Sequence, residues 1–157
     1  MAIRSTAKAI LLKEGQVLLN QCRDRGGEVY YDLPGGGQRQ FETLEEALYR
    51  ECLEETGRRV RILRLAALCE EMFEDPWLRA HFSEYTHRVH HIFLAELRDG
   101  AVAPPGERDY QQAASVWVPL DKLPSLDVRP RLAGEHFGKI LASPCPLYLG
   151  ARRYAAP

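Results

Sequence analysis

The chain has 157 residues, 45% of them hydrophobic and 27% charged, which predicts a single globular domain over residues 1–157. The formal net charge of -1 argues against a global field that would attract nucleic acid or an anionic membrane. No apolar run reaches the roughly 18 residues that a membrane span requires. The four cysteines are too far apart for a zinc knuckle or a redox pair. Free thiols fit a reducing compartment, so we expect a cytoplasmic protein without a membrane partner.

The first part of the chain predicts a hairpin, a short strand and a helix. Two apolar runs joined at residues 14–16 are typical of a β-hairpin. The segment 29–33 predicts a short strand that stops at a proline. The pattern over 43–56 predicts a helix, which begins near Glu42 or Thr43 and ends at the following glycine.

The second part of the chain predicts mainly strands and ends with one more helix. A strand with an irregularity midway is followed by a loop carrying exposed aromatic residues at 74–84. Further strands, a moderate helix and a last extended piece follow in order, over 85–97, 114–120, 129–142 and 145–150. Strands combined with one early and one late helix favour a mixed α/β or α+β sandwich.

The early helix places acidic residues beside its apolar stripe. Glu51, Glu54 and Glu55 point within about 40° of that stripe at about 100° per residue. Carboxylates that face the protein body are costly unless they are paired or bind a metal ion, although a solvated acidic helix is the common alternative. Oxygen ligands favour Mg²⁺ or Mn²⁺. The upstream glycines, Gly35–Gly37, favour ligand binding because they let the backbone approach a ligand closely.

The spacing of these residues resembles the motif of a known family. Gly36 is followed after five residues by Glu42, and after seven more by Arg50-Glu51-Cys52-Leu53-Glu54-Glu55-Thr56-Gly57. This segment is similar to the Nudix box of the MutT-like Nudix hydrolases, Gly-x5-Glu-x7-Arg-Glu-apolar-x-Glu-Glu-x-Gly. The resemblance implies an α/β/α sandwich with a mixed central sheet, a catalytic loop and helix formed by the box, and a C-terminal helix.

The resemblance also implies a reaction on phosphoric anhydrides. The expected activity is a metal-dependent pyrophosphohydrolase that cleaves a nucleoside diphosphate linked to another moiety X. A nucleoside triphosphate, a nucleotide sugar or a dinucleotide would be such a small-molecule substrate. Divalent ions are needed to bridge the anionic helix and the anionic pyrophosphate.

By resemblance, the metal ligands are Glu51, Glu54, Glu55 and the carbonyl of Gly35. Arg50 is expected to orient a glutamate, so that Arg50, Glu51 and Glu54 form the catalytic set.

Supporting roles fall to Gly36 and Glu42, which are expected to maintain the geometry of the loop and the helix. The general base stays open between a glutamate of the box and a distant acid, for which Glu107 and Asp109 are candidates.

Substrate-binding residues are expected in two loops. Arg23 and Arg25 follow the hairpin and are candidates for phosphate contacts. Trp77 and His81 are candidates for stacking on a base or shaping the pocket. For each of these residues, a place in a surface loop is the alternative.

Two positions depart from the family pattern. Arg58 stands where an apolar residue is usual, so the helix exit is expected to be more exposed. Phe41 stands where a glycine often precedes the glutamate of the box. Because a left-handed phenylalanine is strained, we expect this loop to follow a different path.

Two other functions remain open. The same chemistry at the 5′ end of RNA is the first, although the net charge argues against a nucleic-acid partner. A nucleotide-sensing Nudix module without catalysis is the second. The sequence also leaves open whether the protein forms a homodimer.

Overall fold

A computed structural model describes residues 3–98 and 112–155 of the chain. Its strands are β1 (Arg4–Lys13), β2 (Gln16–Arg23), β3 (Val29–Asp32), β4 (Gly35–Gly37), β5 (Val60–Phe73), β6 (His87–Leu97), β7 (Gln112–Pro119), β8 (Val128–Arg129) and β9 (Leu147–Tyr154). Its α-helices are α1 (Leu44–Thr56), α2 (Pro76–His81), α3 (Arg131–Glu135) and α4 (Phe137–Ala142). Short 3₁₀ turns cover Ser83–Tyr85 and Leu120–Ser125. Among the residues described, no helix is long and apolar enough to cross a bilayer.

The strands form one mixed, curled sheet. Its order is β8-β3-β2-β1-β6-β5-β9, with β4 paired to β1 and β7 paired to β2. The first strand is antiparallel to β2 and β4 but parallel to β6, so it joins the two halves of the sheet. The predicted mixed sheet is therefore confirmed.

The predicted hairpin joins β1 and β2 through a two-residue loop. Lys13 pairs with Gln16, and both intervening residues have positive φ, 50° at Glu14 and 74° at Gly15. This conformation matches the type I′ turn, whose twist suits antiparallel strands.

Helices cover both faces of the sheet, which confirms the predicted layers. On one face, α1 packs on β1 through a core that includes Ala47, Leu48 and Ala9. On the other face, α4 packs Phe137 and Ile140 into a core shared by both halves of the sheet. Successive residues of a strand point to opposite faces, so each strand of the central region serves both cores.

The structure corrects two predicted elements. Residues 74–84 are not a loop, since they contain α2 and a 3₁₀ turn. The Asp75 carboxylate starts α2 by accepting hydrogen bonds from the backbone N–H groups of Trp77 and Leu78, and Pro76 suits the first helical turn. Six residues are too few for an apolar period to reveal a helix. The predicted C-terminal helix is also divided, because α3 ends at Glu135 and His136 separates it from α4. Nearby glycines lower the helix propensity of this segment.

The prediction that Phe41 would redirect its loop is wrong. Phe41 keeps the left-handed conformation, with φ of 65°. Hydrogen bonds between Arg39 and Glu42 close the turn around it: the Arg39 N–H donates to the Glu42 carboxylate at 2.9 Å, and the Glu42 N–H donates to the Arg39 carbonyl at 3.2 Å. The ring is 98% exposed, so it meets no obstacle and the strain stays local.

This strain predicts a stability difference between two variants. Phe41→Gly and Phe41→Ala both remove the ring, but only glycine adopts a positive φ freely. We expect the free energy of unfolding, measured by urea denaturation, to be about 1 kcal/mol higher for the glycine variant than for the alanine variant. Equal stability of the two variants would show that the left-handed conformation carries no strain.

Candidate active site

The helix α1 has a defined start and end. Thr43 is its N-cap and forms a capping box with Glu46, in which each side chain accepts the other residue's backbone N–H. Gly57 ends the helix in the left-handed conformation, with φ of 68°, and its N–H donates to the Leu53 carbonyl. Both ends agree with the prediction, so the glutamates of α1 are held in a fixed frame.

Arg50 gathers the acidic residues of the loop and the helix. Its Nε and Nη2 donate to the two oxygens of Glu42 at 2.7 and 2.9 Å. Its Nη1 donates to Glu51 at 2.6 Å and to Glu54 at 3.2 Å, and Nη2 also reaches the Gly37 carbonyl at 3.1 Å. This bidentate hydrogen bonding lowers the pKa of Glu42 to about 2, and Glu42 is the main cause of a raised pKa at Arg50. We name Arg50, Glu42, Glu51 and Glu54 the Arg50 cluster.

Gly36 lets the loop lie against the helix. A Cβ on this residue would lie 2.5 Å from the carboxyl carbon of Glu51, far closer than two carbon atoms tolerate. A side chain at position 36 would therefore displace the Glu51 carboxylate, and the supporting role of Gly36 stays a prediction.

Glu55 lies apart from the Arg50 cluster, in the protein interior. It is 5% exposed, and its Oε2 accepts hydrogen bonds from the Asn20 amide at 2.7 Å and from the Gly35 N–H at 2.8 Å. Burial raises the pKa of Glu55 to about 8, against the opposing effects of Lys8 and of these hydrogen bonds.

The carbonyl of Gly35 accepts a hydrogen bond from a buried lysine. The Nζ of Lys8 donates to Gly35 at 2.7 Å, to the Leu33 carbonyl at 3.1 Å and to the Asp32 carboxylate at 3.0 Å. Burial alone would lower the pKa of Lys8, but the carboxylates of Asp32 and Glu55 outweigh it and leave that pKa raised. A charged, buried lysine therefore anchors the glycine loop from the protein interior.

The chemistry of the Arg50 cluster suits a divalent cation. Three carboxylates surround the Arg50 guanidinium, and Arg39 reaches Glu54 at 3.9 Å. Negative charge is still in excess, and Glu51 and Glu54 retain partial exposure. Within residues 3–98 and 112–155, no group of three His, Cys, Asp or Glu side chains is arranged as a metal site. The ligand set of Gly35, Glu51, Glu54 and Glu55 stays a prediction. The candidate bases Glu107 and Asp109 lie outside the described residues.

A cleft of about 620 Å³ opens on the face of the sheet opposite α1. Aromatic and cationic side chains dominate its lining: Tyr30, Phe73, Trp77, Phe82, Tyr85, Arg25, Arg88, Arg129 and Arg131. Its volume lies in the usual range for small-molecule sites. Flat rings and guanidinium groups together suit a ligand that has both a base and negative charge.

Two of the four predicted substrate residues line this cleft. The guanidinium of Arg25 lies 4.0 Å from the Trp77 ring centre and pairs with Asp75 at 2.8 Å. The other two do not line it. Arg23 donates to the Gly27 carbonyl, and His81 stacks on Trp77 with ring centres 4.7 Å apart.

A buried polar network forms another part of the cleft and was not predicted. Glu71 and His90 are 3% and 2% exposed, and His90 Nε2 donates to Glu71 at 3.2 Å. The other oxygen of Glu71 accepts the Arg131 N–H at 2.9 Å, while Nδ1 of His90 lies 2.8 Å from the Thr6 hydroxyl oxygen. Burial lowers the pKa of His90, and hydrogen bonds from His90 and Arg131 lower that of Glu71 against its own burial. A neutral histidine therefore faces an ionised glutamate.

Strand alternation places His90 and Arg88 on one face of β6, and this was the available sequence signal. It does not reveal which face carries the cleft, because that depends on β3, β8 and α2.

Comparison with known proteins identifies the family of the chain. A family model described as the NUDIX domain matches residues 2–137. Among solved structures, a NUDIX hydrolase from Nitrosomonas europaea superimposes with a TM-score of 0.67 at 20% identity, covering 88% of this chain and 91% of that one. At this identity the likeness concerns the fold.

Curated relatives include proteins named for action on RNA. An NAD-capped RNA hydrolase NudC from Chromobacterium violaceum is 31% identical over 122 residues, which cover 78% of this chain and 40% of the relative. An RNA pyrophosphohydrolase from Teredinibacter turnerae is 29% identical over 131 residues, covering 74% of each chain. The chain thus spans about two fifths of the length of the first relative.

The neutral state of His90 predicts how stability changes with pH. The pKa of His90 is below 6.5 in the folded protein, so below that pH the unfolded chain binds a proton that the folded protein does not. As pH falls below 6.5, wild type should lose stability relative to His90→Gln, by up to about 1.4 kcal/mol per pH unit. Urea denaturation of both proteins between pH 5 and 8, in the range where His titrates, measures this difference. If the stability of wild type relative to His90→Gln instead increases as the pH falls, the folded histidine is charged.

Proposed function

Because the chain belongs to the Nudix family, we propose that it is a metal-dependent hydrolase of phosphoric anhydrides. Its substrate is a nucleoside diphosphate linked to another moiety X. The observation that carries this proposal is the Arg50 cluster, in which one guanidinium holds Glu42, Glu51 and Glu54 beside a glycine loop. Such an excess of carboxylates has little value for stability alone, since like charges repel.

Glu51 and Glu54 are the side chains best placed to hold Mg²⁺ or Mn²⁺, with Glu55 and the Gly35 carbonyl as further predicted ligands. When bound, the cation supplies neutralisation of the phosphate oxygens and activation of a water molecule. Arg50 sets the directions of both carboxylates through its Nη1. Gly36 keeps the loop close to Glu51, and Lys8 anchors the same loop from the interior. The general base stays open.

The cleft is the proposed site for the nucleoside. The Trp77 ring, backed by Arg25 at 4.0 Å, and the Tyr30 ring, backed by Arg129 at 3.7 Å, offer flat surfaces for a base. Nucleoside triphosphates, nucleotide sugars and dinucleotides all combine a base with the required diphosphate. The proposed partner is therefore a small nucleotide.

The 5′ end of RNA is a second candidate substrate. Two relatives are named as RNA hydrolases, and one of them matches this chain over 74% of both lengths. A capped or triphosphorylated RNA end presents the same diphosphate and the same first nucleoside. The net charge of -1 gives no general attraction to the rest of an RNA chain, so we rank this substrate second.

A substrate panel tests the proposed function. Wild-type protein is incubated with NTPs, oxidised NTPs, ADP-ribose, nucleotide sugars, dinucleoside polyphosphates, and NAD-capped and 5′-triphosphate RNA, at slightly alkaline pH. Release of phosphate, pyrophosphate or nucleoside monophosphate is measured with Mg²⁺, with Mn²⁺ and with chelator. We expect hydrolysis of at least one class that chelator abolishes. Metal-independent turnover, or silence across the panel with metal binding intact, would contradict the proposed enzyme.

A matched pair of variants tests the metal site. Glu54→Gln removes one carboxylate of the Arg50 cluster, so metal-dependent turnover should fall by about 100-fold or more, while the melting temperature stays close to that of wild type. Glu45→Gln removes an exposed carboxylate of the same helix and should leave turnover unchanged. Manganese binding, followed by electron paramagnetic resonance, should weaken in the first variant alone. Wild-type turnover in Glu54→Gln would exclude Glu54 as a ligand.

A further inference from the structure

Two arginines that form no ion pair with any other described residue lie at the glycine loop and in the adjoining cleft. Arg4 of β1 and Arg88 of β6 are register partners across parallel strands, so their side chains leave the sheet on the same face. Neither forms an ion pair within residues 3–98 and 112–155. The other arginines of the cleft differ, since each pairs with one carboxylate. The distances are 2.8 Å for Arg25, 3.1 Å for Arg129 and 3.6 Å for Arg131.

Arg4 lies directly on the glycine loop. Its guanidinium occupies the space where a Cβ of Gly37 would stand, with Cζ 2.6 Å from that position. The carbonyl of Gly37 accepts a hydrogen bond from Arg50. Gly37 therefore contacts both Arg4 and Arg50. A side chain at position 37 would displace Arg4.

Arg88 lies in the lining of the cleft. Its Nε donates to the Tyr85 carbonyl at 2.8 Å, and its guanidinium is 4.9 Å from the Phe73 ring centre. Within the described part of the chain, its two terminal nitrogens have no hydrogen-bond acceptor. Burial lowers the pKa of this guanidinium, against the nearby carboxylates of Asp32 and Glu71, but an arginine stays charged at physiological pH.

The Tyr85 ring brings the two guanidinium groups together. Its centre lies 4.3 Å from Cζ of Arg4 and 5.5 Å from Cζ of Arg88. Two positive charges at the same ring repel each other unless an anion joins them. The planar fork of an arginine matches the oxygens of a phosphate.

We propose that Arg4 and Arg88 together bind the phosphate that links the nucleoside in the cleft to the phosphate held at the Arg50 cluster. The pair is placed to bind such a phosphate, since Arg4 contacts the glycine loop and Arg88 lines the cleft. Tyr85 keeps both guanidinium groups in place before the substrate arrives. This proposal rests on the proposed function and assigns the nucleoside side of the diphosphate to two residues outside the Nudix box.

Binding without metal tests the phosphate clamp formed by these two arginines. Isothermal titration calorimetry in chelator compares AMP with adenosine and GMP with guanosine on the full chain. Wild type should prefer the monophosphate by about tenfold or more, the contribution expected of hydrogen bonds to a charged group. Arg4→Gln and Arg88→Gln should each lose most of this preference while retaining nucleoside affinity. Arg88→Lys, which keeps the charge without the fork, should retain part of it.

Arg61→Gln is the matched control, because Arg61 of β5 forms an exposed ion pair with Glu96 of β6 and does not line the cleft. It should keep the wild-type preference. Melting temperatures show whether each variant is folded.

The clamp is overturned if folded Arg4→Gln and Arg88→Gln keep the full phosphate preference, or if wild type binds nucleoside and monophosphate equally. Loss of nucleoside and monophosphate affinity in equal proportion would also overturn it, since the arginines would then only shape the cleft. The proposed function stands or falls separately, on hydrolysis of the panel by wild type. If wild type hydrolyses a nucleotide while the variants keep the full phosphate preference, the proposed enzyme stands and the proposed clamp is wrong.

Discussion

The contact between Arg50 and Glu42 is the interaction on which the rest of the site depends. Glu42 lies in the loop and Arg50 lies two turns into α1, so their two hydrogen bonds fix the loop against the helix. The same guanidinium then holds Glu51 and Glu54. Without it, the carboxylates would separate by mutual repulsion. Arg50, assisted by Arg39 at 3.9 Å from Glu54, therefore makes these neighbouring carboxylates compatible with a rigid fold.

A second, buried set of polar contacts supports the loop from the other side. Lys8 and Asn20 come from the adjacent strands β1 and β2, and they reach Gly35 and Glu55 respectively. Gly35 and Glu55 also bond directly to each other. The central strands thus position the loop through directional hydrogen bonds from charged and amide groups. Apolar packing alone would not orient the carbonyl and N–H groups of the loop.

The sequence predicted those parts of the molecule that depend on short-range order. The hairpin, α1 with its caps and the grouping of acids around Arg50 follow from spacing within about twenty residues, which helix geometry converts into position. The cleft did not follow, because Tyr30, Arg88 and Arg129 meet only through the pairing of distant strands. The helix α2 was missed because its six residues are too few to show an apolar period. Phe41 was misjudged because a fully exposed ring tolerates a strained backbone.

The two faces of β6 contact different parts of the molecule. Phe93 and Ala95 support the core beneath α1, while Arg88 and His90 point into the cleft on the opposite face. Among the described lining residues of the cleft, none comes from α1. Substitutions in the cleft therefore need not disturb the carboxylates of the Arg50 cluster. Such a division lets the lining of the cleft change in evolution while the loop and helix on the other face stay the same.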